Sequence, residues 1–207
     1  MNRRICSSGA MLIAFALMPA LRGFAATDPM TETKTAVNQI VALLKDDALR
    51  SKPTIMRQRV EDAVAEHFDF TAMACAALGA HWNELSYEQR RDFVELFTHL
   101  FQVSYADRAE SYFVQPIVFV KESLESADNA QVDTDIINPA GQDPTSLDYR
   151  LKLENGRWLV YDVVVDNISM VTNYRNQFAR ALDNESIDSL IDHMRTRQKD
   201  LDARRAE

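Results

Sequence analysis

The chain has 207 residues, with 23 Lys and Arg against 31 Asp and Glu, for a formal charge of −8. That acidic balance argues against a nucleic-acid surface, which needs a basic patch, and against a resting place on an anionic membrane. The glycines number 5, too few and too scattered for a P-loop, a GxGxxG dinucleotide turn or a GxSxG nucleophile elbow.

The first 25 residues read as a secretory signal peptide. MNRR supplies a basic start, MLIAFALMPAL is apolar, and Gly23-Phe24-Ala25 fits a small-x-small cleavage site. The apolar stretch is too short to span a bilayer, and Cys6 precedes it, where a lipoprotein acceptor cysteine would follow. The expectation is export, leaving residues 26–207 as a single domain. Cleavage would remove Arg3, Arg4 and Arg22 and no acid, so 20 basic residues would face 31 acidic ones, a charge of −11. Cys75 would be the remaining cysteine, so the core must be held without an intrachain disulfide.

From Thr31 to Arg50, Val37, Ile40, Val41 and Leu44 recur at helical spacing. Pro53 interrupts, and Ile55, Val60 and Val64 continue a second helix. FDFTAMACAALG, residues 68–79, reads as a short helix closed by Gly79. Ser86 followed three residues later by Gln89 predicts a capping box. The helix it opens carries Phe93, Leu96, Phe97, Leu100, Phe101 and Tyr105, the most apolar stripe in the chain.

After Pro116 the period changes to two. IVFVKESLE, QVDTDIIN, SLDYRLKLE and RWLVYDVVV read as four strands. Asn155-Gly156 predicts a two-residue hairpin turn between the last two. An unbroken register from that turn pairs Leu153 with Trp158, Leu151 with Val160, Tyr149 with Asp162 and Leu147 with Val164, giving one greasy face. The predicted class is α+β, an antiparallel sheet with one face committed to helices. Beyond it, Asp166, Asn167 and Ser169 look like turn and capping residues, and Val171, Tyr174, Phe178 and Leu182 form a helical stripe. Arg175 is expected to be solvated or paired with an acid. A last helix is expected from Asn184, with the charged tail from Thr196 frayed.

Chemistry is scarce. His67, His81, His99 and His193 show no HExxH pairing and Cys75 no CxxC partner, so no metal site is expected. Asp162, if it points into the apolar face beside Tyr149, would be a desolvated carboxylate able to act as a general acid or base; the alternative is that Tyr149 or an arginine satisfies it. The Phe93 stripe reads as core. With the greasy sheet face, though, the apolar supply could line a cavity, and such pockets are mostly apolar with a few polar groups.

Two stretches carry a family resemblance. FDFTAMACAALGAHWNELSYEQRRDFVELF resembles F-D-F-x-x-M-A-x-x-x-L-G-x-x-W followed by Q-R-x-x-F. RWLVYDVVVDNISMVTNYRNQF resembles W-x-V-Y-D-V, an acidic residue, G-V-S, then Y-R-x-x-F, with Asn167 in place of the usual glycine. Both patterns are those of the MlaC, or toluene-tolerance (Ttg2-type), periplasmic phospholipid-binding proteins. The resemblance implies an NTF2-like curled sheet of four antiparallel strands under six or seven helices, with an apolar cavity between. It implies no enzyme and no cofactor, but a monomeric periplasmic carrier that holds a glycerophospholipid by its acyl chains. The implied partners are an inner-membrane ABC transporter bearing MCE domains and an outer-membrane lipoprotein–porin complex, a route that maintains outer-membrane lipid asymmetry. On this reading the lipid-binding wall is Phe93, Leu96, Phe97, Leu100, Phe101, Tyr149, Leu151, Val160, Val164, Met170 and Tyr174. Two other readings remain: a small NTF2-like enzyme acting on a hydrophobic substrate through Asp162, and a periplasmic adaptor whose apolar residues are ordinary core.

Overall fold

In a computed structural model, the structure describes residues 28–113 and 115–206. The expected signal peptide at 1–25 lies outside them. Seven α-helices and a five-stranded antiparallel sheet make up the fold. Helix α1 (Pro29–Leu44) starts where chemistry says it should: the Asp28 carboxylate accepts from the Thr31 amide at 2.8 Å and proline occupies the first turn. A short α2 (Asp47–Arg50) turns the chain into α3 (Pro53–His67), which runs back along α1. Between these two helices, buried His67 hydrogen-bonds the Gln39 side chain at 3.0 Å.

Helix α4 (Phe70–Leu78) ends at Gly79, whose φ of 63° suits a residue without Cβ. The long α5 (Tyr87–Phe113) opens on the anticipated capping box: the Ser86 amide donates to Gln89 Oε1 at 2.8 Å, and the Gln89 amide to Ser86 Oγ at 3.2 Å. Helices α6 (Met170–Leu182) and α7 (Ile187–Ala206) complete a helical layer with α4 and α5. The C-terminal tail departs from expectation. It stays helical to Ala206, because Leu201 packs on that layer, Asp202 meets His99 at 2.9 Å and Arg205 meets Glu61 at 3.1 Å.

The sheet runs in sequence order, β1 (Ile117–Leu124), β2 (Asn129–Ile136), β3 (Thr145–Glu154), β4 (Arg157–Val165) and a two-residue β5 (Ile168–Ser169) beyond the anticipated strands. Alternation sends Ala130, Val132, Thr134 and Ile136 of β2 inward, all fully buried. Asn155 and Gly156 make the hairpin turn with φ of 51° and 81°. Next to that turn the register is the expected one, Leu153 with Trp158 and Leu151 with Val160.

Further along, the register shifts. A β-bulge leaves Tyr161 as an extra residue in β4, so Arg150 pairs with Asp162, Tyr149 with Val163, Asp148 with Val164 and Leu147 with Val165. The predicted pairs Tyr149–Asp162 and Leu147–Val164 are therefore corrected. The three consecutive valines are apolar on both faces, so hydrophobic alternation does not pin the register there.

Candidate functional site

An apolar cavity of about 280 Å³ lies between the α1–α3 pair, the C-terminal half of α5 and the inner face of β3 and β4. That volume is near the lower bound, about 300 Å³, of ordinary ligand pockets. Each wall follows from its element's period. Helix α1 contributes Val37, Ile40 and Leu44, helix α3 Met56, Val60 and Val64, and helix α5 Phe101 and Tyr105. The sheet supplies Leu147, Tyr149, Val160, Val163 and Val165, the last two turned inward by the bulge.

Few polar groups join the lining. The Thr33 hydroxyl donates to the Pro29 carbonyl at 2.8 Å, and the Gln102 amide to the Glu61 carbonyl at 3.2 Å. Glu61 pairs with Arg205 across the helical layer at 3.1 Å. Arg57, on α3 and half-buried, has no hydrogen-bond or ion-pair partner among the described residues. The Tyr149 hydroxyl is buried and likewise unpartnered among the described residues, and burial pushes its pKa up.

The expected wall residues divide. Phe101, Tyr149, Val160 and Met170 line the cavity. Phe93, Leu96, Phe97, Leu100 and Tyr174 sit instead in the close-packed core formed by α4, α5, α6 and α7. There Phe97 and Tyr174 meet edge to face with ring centres 5.2 Å apart, and Phe93 meets Phe178 at 5.4 Å. Leu151 is buried in the sheet core without being part of the lining, and the bulge turns Val164 to the opposite face. The α1 and α3 lining was missed as a site. Its trace in the sequence is a narrow stripe, Met56-Val60-Val64, beside a charge pair at i, i+4, Arg57 and Glu61.

Asp162 has a structural occupation. Tyr149 and Arg150 are neighbours in β3 and face opposite ways, so Asp162, paired with Arg150, lies away from the cavity. Its carboxylate accepts from Arg150 at 3.1 Å, from Ser169 Oγ at 2.6 Å and from the Val171 amide at 3.1 Å. It thus braces the start of α6, where Ser169 caps by accepting from the Thr172 amide at 3.0 Å. The tight turn before it uses Asp166 and Asn167 at φ 47° and 66°, values asparagine tolerates. Arg175, expected in solvent or against an acid, instead donates to the Ala76 carbonyl at 2.8 Å and ties α6 to the end of α4.

Among the described residues no group of His, Cys, Asp and Glu could hold a metal ion, and no helix is long and apolar enough to cross a membrane. A helical layer and a sheet face enclosing an apolar, nearly uncharged cavity define a domain that binds an amphiphilic or apolar small molecule. Residues 34–196 match the family model described as MlaC protein, and the chain belongs to that family of phospholipid-binding transport proteins, which are not enzymes. It is 26% identical over 176 residues, 82% of each chain, to the intermembrane phospholipid transport system binding protein MlaC of Haemophilus influenzae. In fold it is similar to a phospholipid-binding protein from Ralstonia solanacearum solved in complex with a phospholipid. That match has a TM-score of 0.74 at 24% identity and covers 84% of this chain and 99% of the other.

Proposed function

We propose that the protein is a periplasmic carrier that takes a glycerophospholipid by its acyl chains and moves it between the two membranes of the envelope. The observation that carries this reading is the cavity, whose hydrocarbon walls include, among the described residues, one cationic side chain, Arg57, that can meet a phosphate. Carriage in water demands such a cavity. Each exposed methylene costs about 0.8 kcal/mol, so two chains with ~30 methylenes would cost roughly 24 kcal/mol if left in solvent. A cavity of about 280 Å³ shelters only part of two such chains, so near-neutral transfer requires the walls to part around the rest, and the membrane partners then set direction. By resemblance to the family, those partners are an inner-membrane ABC transporter with MCE domains and an outer-membrane lipoprotein–porin complex. The test is native mass spectrometry and lipid extraction of the purified exported protein, with co-purified phospholipid expected. Protein that carries none and extracts none from vesicles overturns the proposal.

The enzyme alternative loses its site. Asp162 and Tyr149 lie on opposite faces of the sheet, and both carboxylate oxygens of Asp162 are engaged, one by Arg150 and Ser169 and the other by the Val171 amide.

A further inference from the structure

One side chain on the cavity wall ends in a hydroxyl that is sealed from water and unexplained by packing. Tyr149 stands mid-strand in β3, 5% exposed, and its phenolic oxygen has no hydrogen-bond partner among the described residues. Buried side-chain hydroxyls in folded proteins nearly always find one, and an unmet donor makes tyrosine a worse choice than phenylalanine at the same place. Its neighbours on this wall, Val163 across the strand pair and Leu147 two residues back, present only hydrocarbon.

The other polar groups of the lining differ in kind. Thr33, Gln102 and Glu61 each have a partner inside the protein, at 2.8, 3.2 and 3.1 Å. Arg57 is half-exposed, so water can serve its guanidinium. On the cavity lining, Tyr149 alone among the described residues combines deep burial with an unused donor. Its burial disfavours the phenolate, so the oxygen stays a donor at neutral pH.

We propose that the Tyr149 hydroxyl donates to an acceptor oxygen of the bound lipid, so that the cavity distinguishes lipids by the oxygen they carry beyond the headgroup. The proposal rests on the lipid-carrier reading. An ester carbonyl, where chains join glycerol, is a strong acceptor inside a low-dielectric cavity. A hydroxyl borne on an acyl chain is the other source of the same chemistry. An ether-linked lipid keeps headgroup and chain length but lacks the carbonyl.

The test compares wild type with Tyr149→Phe in lipid extraction from vesicles of dioleoyl phosphatidylethanolamine and phosphatidylglycerol, and from vesicles of their dialkyl ether analogues. A third pair of vesicles contrasts 12-hydroxystearoyl with stearoyl chains. Wild type should prefer diester over diether by about 3- to 10-fold, the worth of one net hydrogen bond, and Tyr149→Phe should abolish the preference. A preference for hydroxylated chains that is lost in Tyr149→Phe, with diester and diether extracted equally, supports the same donor acting on a chain oxygen. The proposal is overturned when wild type shows neither preference, or when Tyr149→Phe keeps them. Wild type carries half the test unaided, so a misfolded variant does not shield the idea. Protein that extracts none of these lipids overturns the carrier reading as well, a result distinct from indifferent extraction of all of them.

Discussion

The chain builds two apolar clusters from similar residues and finishes them differently. Around Phe93 and Phe97, both at 0% exposure, four helices close on one another through a ladder of rings. Around Val132 and Tyr149 the sheet face and α1 are buried as deeply, yet a void remains. The difference lies in the closing element. Helices α6 and α7 bring Phe178, Tyr174, Leu190, Ile191 and Met194 to the first cluster, enough volume to fill it. Helix α3 brings Met56, Val60 and Val64 to the second, each half-buried, while its Ile55 faces solvent at 48% exposure. A cavity is thus a deficit of side-chain volume on one wall, and the greasiest helix in a sequence marks the opposite condition, a core already full.

The largest test of that contrast is truncation. Phe97→Ala in the closed cluster should cost about 3–5 kcal/mol, because the hole left behind cannot collapse. Val60→Ala on the cavity wall should cost under about 1 kcal/mol, since its methyls already border empty space. Urea titrations of both variants check the pair, and equal losses would show that the two clusters are packed alike.

Asp162 comes next, at the joint between the clusters, where α6 leaves the sheet. Asp162→Ala strips a buried carboxylate from Ser169, the Val171 amide and Arg150, for an expected loss of about 2–3 kcal/mol. Arg150 keeps 39% of its side chain in solvent, so its orphaned charge adds little. Hydrogen exchange should show the first turn of α6 opening before α5 does. Activity of an enzyme would not be at stake, but lipid uptake should survive in the fraction that remains folded.

These features differ in how far the sequence reveals them. The Ser86–Gln89 box, the Asn155-Gly156 turn and the α5 stripe are local, each specified by residues within a few positions, and they were legible. The bulge at Tyr161 was not, because Val163, Val164 and Val165 satisfy either face. Nor was the order of the C-terminal tail: Asp202 and Arg205 are held by His99 and Glu61, partners distant in sequence. Half of the cavity was hidden for a related reason. Aromatic density pointed to α5, whereas the lining depends on what α3 fails to fill.

Filling the void sharpens the comparison further. Val60→Phe places a ring where there is room, so the lipid-free protein should lose less than about 1 kcal/mol while lipid uptake falls. Ala74→Val adds only two methyls, but to a fully buried site in the closed cluster, and overpacking there should cost about 1–3 kcal/mol. Thermal melts paired with vesicle extraction separate the two. Should Val60→Phe destabilise as much as Ala74→Val, the space beside α3 is not available to a ligand.

The smallest expected effect sets one buried tyrosine in each cluster side by side. Burial raises the pKa of both Tyr149 and Tyr174, so the unfolded chain releases those protons first as pH rises past about 10. Stability from each is therefore fully present below about pH 10 and is lost as pH climbs toward the folded value. Tyr149→Phe and Tyr174→Phe should each flatten that alkaline loss. At neutral pH they should part company. Tyr174 donates to the Leu100 carbonyl at 3.5 Å, so its removal costs a few tenths of a kcal/mol for so long a bond. Tyr149 makes no hydrogen bond among the described residues, so Tyr149→Phe should leave the stability of protein stripped of lipid unchanged or slightly raised. With lipid bound, the order should reverse, because only then does the Tyr149 hydroxyl have an acceptor to lose.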